Sequence, residues 1–87
     1  MTPDYSPARA LLAAARRHPD RLSLVDAVTG QEWTVREAAD TVARLAHTFA
    51  EAGIGEGTRL AVIGANSPWH YIVHVAASWL RAVTVPL

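Results

Sequence analysis

The chain has 87 residues, enough for one small domain or for part of a larger one. Eight arginines balance eight acidic residues, so the formal charge is zero and neither a nucleic acid nor an anionic membrane is implied as partner. Lysine and cysteine are absent, which excludes a Schiff-base or Walker A lysine, a thiol nucleophile, a cysteine-based zinc site and disulfide staples.

Hydrophobic residues make up 51% of the chain and mean hydropathy is +0.11. A domain of this size hides only ~60–65% of its unfolded surface. So apolar a composition points to faces that need more protein to cover them. Absence of cysteine favours a reducing, cytoplasmic setting. The opening Met-Thr-Pro-Asp lacks the basic start of a signal peptide. No run approaches the ~20 apolar residues of a membrane span.

Ser6-Pro7 opens the first predicted helix, with Ser6 as N-cap and Pro7 at the first helical position. Ala8, Leu11, Leu12 and Ala15 fall on one face. Arg16, Arg17 and His18 suit the negative end of the helix dipole, and Pro19 stops the helix. Leu22-Ser-Leu-Val-Asp26 alternates and predicts a strand. A turn at residues 28–31, with Gly30 free to take a positive φ, returns the chain into Glu32-Trp-Thr34 as a β-hairpin.

Thr34-Val-Arg-Glu37 is a capping box. Val35, Ala38, Ala39, Val42, Leu45, Ala46 and Phe49 then recur at intervals of three and four, predicting an amphipathic helix that ends at Gly53 in a left-handed cap. Residues 59–64 form a near-continuous apolar run, expected as a strand covered on both faces. Ser67 and Pro68 start a third helix that runs to about Leu80, and residues 83–87 give a further strand in which Pro86 ends the pairing. Strand, helix and strand within about thirty residues predict a βαβ unit with parallel strands. Two such strands cannot close a core, so the chain reads as cut at its C-terminal end.

The motifs that suggest chemistry each have a plainer reading. Gly53-x-Gly55-x-Gly57 tempts a phosphate-loop assignment, but a helix precedes it and a strand follows, the reverse of a dinucleotide fingerprint. It reads as a helix-to-strand turn. Gly64-Ala-Asn-Ser-Pro68 has the right order for an anion site at a helix N-terminus. Yet Pro68 removes one N–H, Ser67 is expected to cap another, and no basic residue lies nearby. His70 and His74 share a helix face at metal-ligand spacing, without the glutamate of the metalloprotease motif. They read as histidines at the margin of a packed helix. Trp33, Trp69 and Trp79 read as filling core and interface, core packing first, in preference to a ligand pocket. Ser6, Ser23, Ser67 and Ser78 lie in no Gly-x-Ser-x-Gly elbow. We therefore assign no catalytic, cofactor-binding or metal-binding residue.

Seven segments in order carry a resemblance: His18-Pro-Asp-Arg-Leu-Ser-Leu-Val25, Glu32-Trp-Thr-Val-Arg-Glu-Ala38, Ala43-Arg-Leu-Ala-His47, Ala52-Gly-Ile-Gly-Glu-Gly57, Thr58-Arg-Leu-Ala-Val-Ile63, Asn66-Ser-Pro-Trp69 and Val83-Thr-Val-Pro-Leu87. Together they resemble the opening of the adenylate-forming, AMP-binding superfamily: acyl- and aryl-CoA ligases, luciferases and peptide-synthetase adenylation domains. The resemblance implies that residues 1–87 are the N-terminal fragment of such a domain, with an incomplete α/β fold. It implies, for the full-length enzyme, a carboxylic acid substrate, ATP, Mg²⁺ and coenzyme A. The Asn-Ser-Pro helix and the lack of carrier-domain signals favour a CoA ligase. The family's phosphate loop, adenine and ribose motifs, Mg²⁺ carboxylate and catalytic lysine all come later than these residues. The fragment itself is then expected to bind no cofactor and to be inactive alone. Its partner would be the rest of the ligase domain or a self-associating copy. The alternative is a stand-alone remnant acting as a protein-interaction module. Many members have glycine at the position of Arg81, so here the third helix is expected to end by another route.

Overall fold

The computed structural model describes residues 7–63 and 67–86; the expected Ser6 cap, Gly64, Asn66 and Leu87 lie outside them. Three helices and two strand pairs follow in the order α1 (Pro7–Arg17), β1 (Leu22–Val25), β2 (Glu32–Thr34), α2 (Val35–Glu51), β3 (Arg59–Val62), α3 (Pro68–Trp79) and β4 (Val83–Pro86). The strands β1 and β2 pair antiparallel, and β3 and β4 pair parallel. This is the expected helix, hairpin, helix and βαβ order.

The hairpin departs from simple alternation. Its register shifts between Leu22 and Leu24, so neighbouring Ser23 and Leu24 are both half-buried. The turn is wider than the sequence suggests. Asp26 N–H donates to the Gln31 carbonyl at 2.8 Å, and the Asp26 carboxylate accepts from Val28 N–H at 2.9 Å. Gly30 takes φ +78° within that turn.

The N-terminus of α2 realises the capping box. Glu37 N–H donates to Thr34 Oγ1 at 3.2 Å, and Thr34 N–H donates to Glu37 Oε1 at 2.9 Å. At its other end Gly53 has φ +89°. Gly53 N–H reaches the Ala50 carbonyl and Ile54 N–H the Phe49 carbonyl, both at 3.0 Å. That pair of bonds is a Schellman cap.

The third helix ends in the same motif, against expectation. Arg81 N–H donates to the Ser78 carbonyl at 3.1 Å and Ala82 N–H to the Ala77 carbonyl at 3.0 Å. Arg81 itself holds the left-handed conformation, φ +59°. The chain therefore keeps the geometry and bears the Cβ strain that glycine avoids. At the start of α3, Ser67 occupies the N-cap position, but its side chain makes no capping bond. The expected hydroxyl cap is thus absent there.

The core is built mainly from helices. Ala8 and Leu11 of α1, Ala38, Ala39, Val42 and Ala46 of α2, and Ile72, Val75 and Ala76 of α3 pack together with Trp33 and Val35. The apolar stripe of α2 is the one its spacing predicts. Among the residues whose burial is described, none of β3 or β4 belongs to this cluster. The inner face of the pair, with Leu60, Val62 and Thr84, is half-buried. On the other face Ala61 is exposed, as are Ile63 at 79%, Val83 at 54% and Val85 at 38%. The expectation that β3 is covered on both faces is corrected: only one side is covered.

Candidate functional site

The three glycines between α2 and β3 have their N–H groups engaged. Gly53 N–H caps α2, Gly55 N–H donates to Thr58 Oγ1 at 3.0 Å, and Gly57 N–H donates to the Arg81 carbonyl at 3.3 Å. A phosphate cradle needs several such donors free and convergent. Here they fasten α2 to β3 and β3 to the end of α3. The side chains of Glu56 and Arg81 approach to 4.0 Å across the same junction, an exposed pair of small energetic weight.

The face of α3 toward β4 holds the two spaced histidines. His74 Nδ1 lies 2.9 Å from Thr84 Oγ1, and both histidines line a small cavity of about 140 Å³ with Val62 and Thr84. His70 Nε2 is buried there without a hydrogen-bond partner. The helix spacing thus brings His70 and His74 to one place, as the sequence implies. Thr84 was not legible as their neighbour, because only the parallel register carries it across from β4. Among the described residues no group of three or more His, Cys, Asp or Glu side chains gathers to hold a metal. One of the two imidazoles already leans on Thr84. The arrangement ties α3 to the sheet.

A wider groove of about 520 Å³ runs between the hairpin and the start of α3. Leu24, Val25, Val28, Ser67, Pro68 and Tyr71 are among its walls. Asp26, the carboxylate among its described walls, accepts at Oδ1 from the turn N–H groups of Val28 and Thr29. The tryptophans divide. Trp33 is buried and meets Trp69 edge to face, centroids 5.8 Å apart. Trp69 and Trp79 are nearly half exposed, so the expectation of three core tryptophans holds for Trp33 alone.

These residues do not fit ATP or Mg²⁺. The N–H groups of Gly53, Gly55 and Gly57 are engaged, the chain has no lysine, and among the described residues no group of three or more His, Cys, Asp or Glu side chains gathers. What the geometry provides is a helical core with a strand pair that has one uncovered face.

Comparison with known proteins gives the class. Residues 11–87 match the AMP-binding enzyme family, and the chain belongs to it, as the N-terminal segment of such an enzyme. Over 70 residues it is 36% identical to the peroxisomal acetate/butyrate–CoA ligase of Arabidopsis thaliana, covering 80% of this chain and 12% of that one. A fatty acyl-CoA synthetase of Mycobacterium tuberculosis superposes with a TM-score of 0.86 at 26% identity, over 92% of this chain and 16% of its own. The N-terminal subdomain of NpsA from Klebsiella oxytoca gives 0.84 at 27% identity, over 94% and 21%. The chain thus spans about a fifth or less of these relatives. Among the described residues no helix is long and apolar enough to cross a membrane.

Proposed function

We propose that these 87 residues serve as the N-terminal scaffold of an ATP-dependent acyl-CoA ligase and carry no catalytic step themselves. In the complete reaction a carboxylate attacks the α-phosphate of ATP, forming an acyl-adenylate and releasing pyrophosphate. A coenzyme A thiol then takes the acyl group and AMP leaves. ATP, Mg²⁺ and coenzyme A belong to later parts of such an enzyme. The observation that carries this reading is the fold: TM-scores of 0.84–0.86 to adenylate-forming enzymes along more than nine-tenths of the chain. The identity to a CoA ligase favours CoA over a peptide carrier as acyl acceptor. The cysteine-free composition supports a cytoplasmic setting, although that plant relative is named as peroxisomal.

The uncovered apolar residues favour one second reading, a non-catalytic interaction module. Two measurements separate the readings. The first transplants residues 11–87 into the plant ligase in place of its matching segment. The scaffold reading expects a soluble chimaera with acetate-dependent ATP–pyrophosphate exchange; an inactive one speaks for the module. The second reads the codons that follow Leu87. A Ser-, Thr- and Gly-rich loop ending near a lysine is expected within the length of a ligase gene, and its absence from all three frames would leave the module reading ahead.

A further inference from the structure

We draw no further inference here: the strongest candidate, the small cavity that Val62, His70, His74 and Thr84 line between α3 and the β3–β4 pair, belongs to the site already described, where Thr84 engages His74, His70 Nε2 is closed to solvent, and no third His, Cys, Asp or Glu joins the pair among the described residues.

Discussion

Arg81 holds a conformation that L-residues adopt at a cost of about 1–2 kcal/mol. Its φ of +59° completes the Schellman bonds of α3, and its carbonyl accepts from Gly57. The side chain adds only a distant, exposed contact with Glu56. Arg81→Gly removes the Cβ strain, while glycine loses more backbone entropy on folding. We expect a net gain of about 0.5–1 kcal/mol in urea denaturation. A loss would mean that the Arg81 side chain contributes more than its exposure suggests. The sequence reading missed this ending because it equated the left-handed cap with glycine, whereas the hydrogen bonds hold the conformation whatever the residue.

Glu37 is the other residue whose behaviour follows from its bonds. The Thr34 backbone N–H first, and its hydroxyl second, hold the Glu37 carboxyl below the ordinary glutamate range. A carboxyl depressed in the folded state stabilises the fold above its unfolded pKa, about 4.3. That contribution is lost as pH falls from there through the lower folded value. Circular dichroism of α2 should therefore weaken from about pH 4.5 downward, and Glu37→Gln should flatten this dependence. An unchanged acid limb in the variant would contradict the assignment. Thr34→Ala, which removes the cap at any pH, should cost about 1 kcal/mol.

At the scale of elements, α2 was the most fully legible from sequence. Its capping box, its stripe from Val35 to Ala46 and its glycine stop are all local signals, and local bonds realise them. Strand β3 was legible as a strand but not in its covering, because four apolar letters cannot say whether a second layer is present. The turn at Asp26 was placed two residues late, since the side-chain bonds that widen it leave no mark on hydrophobic periodicity. Helix α3 tests the histidine reading. His74 is engaged by Thr84, and His70 faces the same small cavity. Two nitrogen donors fall short of the four-coordinate sites that zinc prefers. Calorimetric titration with zinc should show no micromolar binding in the chain or in His74→Ala. Micromolar affinity that disappears in His74→Ala would mean the pair is a ligand site after all.

For the molecule as a whole, the core and the βαβ sheet are different objects. Helices α1, α2 and α3 close a core with Trp33, and the β3–β4 pair leans on that core by one face. The glycine loop joins the two parts, with its N–H groups engaged in doing so. Composition already signalled this division, as more apolar residue than so short a chain can hide. It could not locate the excess on one sheet face, because that depends on the parallel register of Ala61 with Val85. Of the candidate residues, the helical spacing placed His70 and His74 together, and the fold adds that the N–H groups of Gly53, Gly55 and Gly57 are bonded within the chain.

The central claim is that these residues position chemistry they do not perform. The most direct measurement is ATP–pyrophosphate exchange by the isolated 87-residue chain, with Mg²⁺ and a panel of short, long and aromatic carboxylic acids. With no lysine in the chain and the glycine N–H groups engaged, exchange should not exceed a no-protein control for any acid. Turnover clearly above that control, abolished by boiling the chain, would place adenylation chemistry within these residues and contradict the account.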